Sequence, residues 1–222
     1  YHLKLGVDQI FIYENDCRSG LRYQNRVTTI PFDGPGRQIY AYNDFIFTNG
    51  ETGIVYDWAI FIDVDEFICL KQHNTIQDFL HDYGNIPERV DGIAMNWMTF
   101  GSGNNVQPNG SVLERFTMRA AEPERHVKLI VNLDGDRLMM GPHHSYGFWI
   151  DTNGQVGSGQ NNFEAAVDVI QLNHYFCKTR QEYEKKMARG RADWYVPRRP
   201  EDFDYYDKNE VEDLTALNRS SV

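Results

Sequence analysis

Three acids follow a short apolar run: Trp58-Ala59-Ile60-Phe61-Ile62 leads into Asp63-Val64-Asp65-Glu66. A run of this kind reads as a strand buried on both faces. Along a strand, residues i and i+2 point the same way, so Asp63 and Asp65 converge if the strand extends to them. Two carboxylates at the carboxyl end of a buried strand suit a hard divalent cation such as Mg²⁺ or Mn²⁺. In open α/β sheets, ligands bind at that same end. The competing reading is a turn capped by acids.

The bulk properties narrow the field. At 222 residues the chain can bury a full core, and length favours one domain, with or without an appendage. A formal charge of -10 gives no overall attraction for nucleic acid or anionic membrane, although local basic groups can still hold an anion. No run approaches the roughly 18 to 20 apolar residues of a membrane span, and the start resembles no signal peptide. Cys17, Cys69 and Cys177 lie far apart. No Cys-x-x-Cys pair exists, which argues against a thiolate zinc site or a disulfide framework. Reduced thiols fit a cytosol-like compartment.

The acids need elements to position them. Tyr1 to Gly6 reads as the last turns of a helix closed by glycine, and Ile10-Phe11-Ile12-Tyr13 as a buried strand. A chain that opens in mid-element suggests a fragment lacking its first strand. Arg26 to Ile30 is a weaker strand, residues 31–36 are loop, and Gln38 to Phe47 is helical. The acidic strand covers 59–65. Thr75 to Tyr83 reads as helix with Asn74 as a cap, and Asp91 to Phe100 as strand. A Gly/Asn-rich loop spans 101–110. Val127 to Asn132 and Val167 to Asn173 are further strands, and Thr179 to Arg191 has helical spacing. Residues 197–222 form an acidic tail, expected to be partly ordered at best. Alternating strands and helices predict an α/β fold with a largely parallel central sheet flanked by helices.

Several islands together form a recognisable series. Tyr1-His2-Leu3-Lys4-Leu5-Gly6-Val7, Trp58…Asp63-Val64-Asp65-Glu66-Phe67 and Trp97-Met98-Thr99-Phe100-Gly101 come first. Glu114-Arg115-Phe116, Lys128-Leu129-Ile130-Val131, Asn173-His174-Tyr175 and Lys186-Met187-Ala188-Arg189-Gly190 follow in order. The series resembles glycosyltransferase family 92 and its family-2-like relatives. That resemblance implies a single GT-A domain over 1–196, with a nucleotide-binding part near 1–70 and an acceptor-binding part near 90–196. It implies inverting transfer from a nucleotide sugar, a UDP-sugar foremost, to a glycan on protein, lipid or polysaccharide. One departure is the turn Glu14-Asn15-Asp16-Cys17-Arg18-Ser19-Gly20, where relatives resemble Asp-Asn-x-Ser-x-Asp-Gly. Glu14 keeps a carboxylate where the family contacts base or ribose, whereas Arg18 and Ser19 break the pattern.

Roles follow for individual residues. A cation bridging a diphosphate stabilises the charge that grows as the glycosidic bond breaks. Asp65 is the candidate direct ligand, with Asp63 reaching the cation or the ribose. The resemblance adds His174 as a third ligand, and an imidazole favours Mn²⁺; a core histidine bonded to backbone is the alternative. His143 and His144 are rivals that could meet phosphate or acceptor. Inversion needs a base for the acceptor hydroxyl. Glu114 is the candidate, unless it pairs with Arg115, Arg119 or Lys128; Asp151 and Glu164 are outside choices. Trp97 and Trp149 could stack on a sugar or sit in the core. Lys128, Lys186 and Arg189 could neutralise the diphosphate, and Lys186 and Arg189 share a helix face.

A haloacid dehalogenase-type phosphatase also carries Asp-x-Asp after an apolar strand, but with Thr or Val where this chain has Phe67. A sugar-binding or inactive relative is the non-enzymatic reading. The expected location is cytoplasmic, or the Golgi lumen for a eukaryotic chain whose anchor lies outside this sequence.

Overall fold

Every residue from Val90 to Thr99 is buried, and the rest of the architecture is arranged around that strand. The computed structural model describes residues 1–15, 25–104, 109–191 and 197–220. The chain begins with β1 (Ile10–Glu14), β2 (Val27–Pro31), α1 (Gln38–Thr48), β3 (Trp58–Ile60) and β4 (Glu66–Leu70). Next come α2 (Ile76–Tyr83), β5 (Val90–Thr99), α3 (Val112–Arg115), β6 (Met118–Arg119) and β7 (Val127–Asn132). Four short strands follow: β8 (Met139–Gly141), β9 (His144–Ser145), β10 (Phe148–Ile150) and β11 (Val156–Ser158). The last elements are β12 (Ile170–His174), α4 (Arg180–Arg189), α5 (Pro200–Tyr206), β13 (Val211–Glu212) and α6 (Thr215–Ser220).

β5 is the axis of a seven-stranded sheet. One edge pairs antiparallel with β7, from Gly92↔Val131 to Asn96↔Val127, and β7 pairs antiparallel with β3. On the other edge β10 runs parallel to the start of β5 and β12 parallel to its end. β11 and β4 are the antiparallel outer neighbours of β10 and β12. The sheet is therefore mixed, and the expectation of a largely parallel sheet is corrected. An uninterrupted apolar strand reports that both faces are covered, not the direction of its neighbours. Here both faces are indeed covered. Ile93, Met95 and Trp97 pack with Leu5, Ile76 and Phe79; Ala94 packs with Phe61, Val131 and Trp149, beside Tyr42 and Phe45 of α1. β1 and β2 form a separate parallel pair.

Local signals explain most boundaries. Thr75 caps α2: its hydroxyl accepts from the Asp78 N–H at 3.1 Å, while the Asp78 carboxylate accepts from the Thr75 N–H at 3.2 Å. The cap is thus Thr75 rather than Asn74. Thr179 and Glu182 make the same reciprocal pair at the start of α4. Residues 2–6 form a succession of turns rather than the end of a helix, and Gly6 takes φ +91°.

The acidic stretch after 197 is built into the body. Phe203 of α5 is buried with Phe176, Cys177 and Tyr183, and the Tyr183 hydroxyl donates to the Arg199 carbonyl at 2.8 Å. β13 pairs with β6, and Ala216 of α6 packs against Cys69, Met98 and Tyr175. Net charge hid the apolar residues, Phe203 and Ala216, that anchor it. Among the described residues no helix is long and apolar enough to cross a membrane.

Candidate functional site

β3 ends at Ile60, and the chain turns through Val64 and Asp65 before β4 begins at Glu66. Asp63 and Asp65 therefore belong to a turn, and strand alternation does not bring them together. Each carboxylate finds its own lysine. Asp63 Oδ1 accepts from Gln38 Nε2 at 2.6 Å, and Asp63 Oδ2 lies 3.5 Å from Lys128 Nζ. Glu66 Oε2 accepts from the Asp63 N–H at 2.8 Å and lies 3.5 Å from the same ammonium. Lys128 and Glu66 side chains are both 0% exposed. Burial pushes Glu66 up to about 8, with Lys128 opposing and the Asp63 charge adding. Burial works against the Lys128 ammonium, but Glu66 and Asp63 more than offset it and keep it protonated. Lys128 is thus an internal counter-charge beneath the turn.

Asp65 takes the other lysine. Lys186 Nζ, from α4, donates to Asp65 Oδ2 at 2.6 Å and to the Phe176 carbonyl at 3.0 Å, and sits 4.0 Å from the centre of the Phe176 ring. Burial raises the Asp65 carboxyl, yet Lys186 and His174 hold it well below the usual carboxylate range. His174 Nε2 faces Asp65 Oδ1 at 4.0 Å. Burial lowers His174 to about 4, so the imidazole is neutral at pH 7. Its Nδ1 has no hydrogen-bond partner among the described residues.

An aromatic and imidazole wall adjoins these groups. The Trp97 ring packs 4.2 Å from His174, 4.9 Å from His143 and 5.2 Å from His126. The buried Trp97 Nε1 is likewise unpartnered among the described residues. His143 is a ring nitrogen donor to the Val127 carbonyl at 3.0 Å, and burial depresses it to about 3.

Asp63, Asp65, Trp97, His143, His174, Lys186 and Arg189 all line one cleft of about 1680 Å³. Lys128 lies below the lining. Glu14 is buried at the end of β1, between Tyr13 and Asn15, which do reach the cleft. Its partner turn falls largely in 16–20, outside the described residues.

Other expected residues are elsewhere. Glu114 is exposed and not part of the cleft; its Oε2 accepts from the Ser111 N–H at 2.8 Å and the Ser111 hydroxyl at 2.9 Å, capping α3. These bonds hold its carboxyl below the usual range. The arginines named as its alternatives are taken: Arg115 pairs with Glu182 at 2.6 Å and Arg119 with Asp213 at 2.8 Å. His144 follows His143 but does not line the cleft. Asp151 is buried and accepts from Asn153, Gln155 and Asn162. Glu164 is exposed, and Trp149 lies in the core with its N–H on the Gly159 carbonyl at 2.9 Å.

Sequence reasoning missed Gln38, Glu66 and His126, and the contributions of Arg191, Arg198, Asp202 and Tyr206 to the same cleft. The helix start at Pro200, with Glu201 and Asp202 in its first turn, was a usable signal for the last group. Nothing local marks Gln38 or His126.

Asp65 Oδ1 and the neutral His174 Nε2 are an oxygen–nitrogen pair directed at one another across 4.0 Å, too far to bond and open to a shared ion. The expected triad is not assembled: among the described residues no group of three or more His, Cys, Asp or Glu is placed to hold a metal. Asp63 is drawn off by Gln38 and Lys128.

No protein-family model matches the chain. Curated proteins do. Over 88% of its length the chain is 27% identical to a glycosyltransferase family 92 protein of Oryza sativa subsp. japonica. The corresponding figures are 24% for one of Arabidopsis thaliana and 25% for one of Ricinus communis, each over 88% of the chain. The comparisons support glycosyltransferase family 92. The aligned region spans 33%, 35% and 35% of those relatives, about a third of each. Family 92 similarity thus covers 88% of this chain, and the α/β architecture is consistent with it.

Proposed function

We propose that the chain is the catalytic portion of a glycosyltransferase that moves a sugar from a nucleoside diphosphate sugar, a UDP-sugar foremost, to a glycan hydroxyl. The reading is a GT-A-type, inverting and metal-dependent transferase. The observation that carries it is the cluster Asp65, His174 and Lys186 in one cleft, within a chain similar to family 92 proteins over 88% of its length.

Asp65 and His174 would hold the cation, Mn²⁺ rather than Mg²⁺ because of the imidazole. When bound, it would supply Lewis-acid stabilisation to the leaving diphosphate. The chain's own groups do the rest. Lys186 and Arg189, in the last turns of α4, offer positive charge to the phosphates. Asp63, held by Gln38 and Lys128, faces the ribose side. Tyr13 and Asn15, which flank the buried Glu14 at the end of β1, reach the cleft and would meet the base. Trp97 presents an aromatic surface to the sugar, and His143 lies against it as a neutral contact.

Isothermal titration with UDP, with and without Mn²⁺, tests the reading, followed by metal-dependent hydrolysis of UDP-galactose, UDP-glucose, UDP-N-acetylglucosamine and GDP-mannose. Micromolar UDP binding that needs Mn²⁺, with slow turnover of one donor, is the expected result. Equal, negligible heats under both conditions overturn it. Phosphate release from a simple ester would point to a phosphatase instead.

A further inference from the structure

Next to the cleft, and sharing His126 with it, lies a second hollow of about 480 Å³, lined by Glu122, Glu124, Tyr205, Lys208 and Glu210 among others. His126 is the residue common to both spaces. We propose that this hollow seats the acceptor saccharide and that His126 is the base that takes the proton from its hydroxyl. The proposal rests on the transferase reading above and adds the acceptor site and base, for which Glu114 is misplaced.

The position of His126 is fixed with care. Its carbonyl accepts from the Trp97 N–H at 3.0 Å, and the Glu124 N–H donates to the Trp97 carbonyl at 2.8 Å. The buried Asn96 side chain donates to the carbonyls of Glu124 at 3.1 Å and Arg125 at 3.4 Å. Asn96 Oδ1 in turn accepts from Asn162 Nδ2 and from the Ala166 N–H, both at 3.2 Å. A satisfied buried network of this kind rigidifies what it holds. The result is an imidazole tilted at 35° against the Trp97 ring, at the border of the cleft.

Chemistry agrees with geometry. Glu124 Oε2 stands 3.9 Å from His126 Nδ1, a carboxylate able to fix the tautomer and leave Nε2 for the acceptor, with a gap that can tighten on binding. Proximity to His126 keeps Glu124 ionised. Around the hollow, carboxylates offer acceptors for sugar hydroxyls, Lys208 a donor, and Tyr205, 61% exposed, a flat face. In the step, the acceptor oxygen bonds to the anomeric carbon while the bond from that carbon to the diphosphate oxygen breaks. The electron pair leaves with the nucleoside diphosphate, and the hydroxyl proton passes to His126 Nε2 and on to water.

The test begins with an array of defined oligosaccharides probed with the protein saturated with UDP and Mn²⁺. Specific glycans should be retained, with at least tenfold weaker retention for Tyr205→Ala and Lys208→Ala, whose UDP titrations match the parent. With UDP bound, absence of any retained glycan, or equal retention by both variants, overturns the acceptor subsite; failure to bind UDP at all overturns the transferase reading instead. With a retained glycan as acceptor and the donor found by hydrolysis, His126→Ala should lose about 10²-fold in kcat at unchanged donor KM. Added imidazole should restore part of that loss, and Glu124→Gln should lose less. A His126→Ala variant at the parent rate, or one that imidazole does not rescue, removes His126 as base.

Discussion

Lys186 Nζ donates to Asp65 Oδ2 at 2.6 Å, joining α4 to the acidic turn across 121 residues of chain. The ammonium satisfies an aspartate that would otherwise be buried alone. The two side chains are 13% and 10% exposed, so neither can be removed without leaving the other a poorly solvated charge.

Asp65→Ala is expected to abolish Mn²⁺-dependent UDP binding and to cost about 3 kcal/mol of stability, the lower end for a broken buried pair. The double variant Asp65→Ala with Lys186→Met should recover much of the stability and none of the binding. Urea denaturation and titration measure the two effects separately. Unchanged UDP binding in Asp65→Ala would remove the metal assignment.

Lys128→Met should cost about 3–5 kcal/mol, because it leaves Glu66 and Asp63 without their shared buried cation. Measured at pH 9, above the value of about 8 to which burial pushes Glu66, adding Glu66→Gln should return part of that loss. If the single variant unfolds at the parent's midpoint in urea, Lys128 is not the counter-charge beneath the turn.

Acid should destabilise the fold through buried histidines. His2 Nε2 accepts from the Ile68 N–H at 3.2 Å, which requires it unprotonated. Burial lowers His2 to about 4 and His143 to about 3, from an ordinary 6.5. The unfolded chain therefore binds protons first, and stability rises with pH between those values and 6.5. Melting temperatures should fall steadily from pH 6.5 to 4, and His143→Asn should flatten that slope. An identical slope in the variant would contradict the assignment.

Glu114→Gln is expected to keep full transferase activity, since the carboxylate caps α3 and does not line the cleft. Its loss should be limited to a small fall in the urea midpoint, since the amide oxygen of Gln can still accept at the cap. A hundredfold fall in kcat with stability unchanged would restore Glu114 to the catalytic machinery.

How far the sequence could be read differs from residue to residue. The buried β5 and β7 and the helix at 38 follow from apolar patterning, and the helices at 76 and 180 also from Thr and Asp or Glu at capping distance. Sheet direction does not, because burial on both faces looks the same for either polarity. Asp65, His174, Lys186 and Trp97 were legible as candidates through their types and the order of the islands around them. The Ser111-x-x-Glu114 spacing is itself the signature of a capping box, and that is where the Glu114 carboxylate is spent. Glu66 and Lys128 owe their roles to a long-range pairing that no local pattern contains. His126 owes its position to Asn96, thirty residues earlier in the chain, which holds the carbonyls of Glu124 and Arg125 just before it.

The order of strands has a consequence for synthesis. Among the described residues β4 finds its strand neighbour in β12, whose residues Ile170 to His174 pair with Leu70 to Glu66. A ribosome must add about a hundred further residues before that apolar edge is covered, at a pace of seconds. Until then Phe67-Ile68-Cys69-Leu70 is an open template for another nascent chain, so yield in a cell should depend on chaperones that shield it.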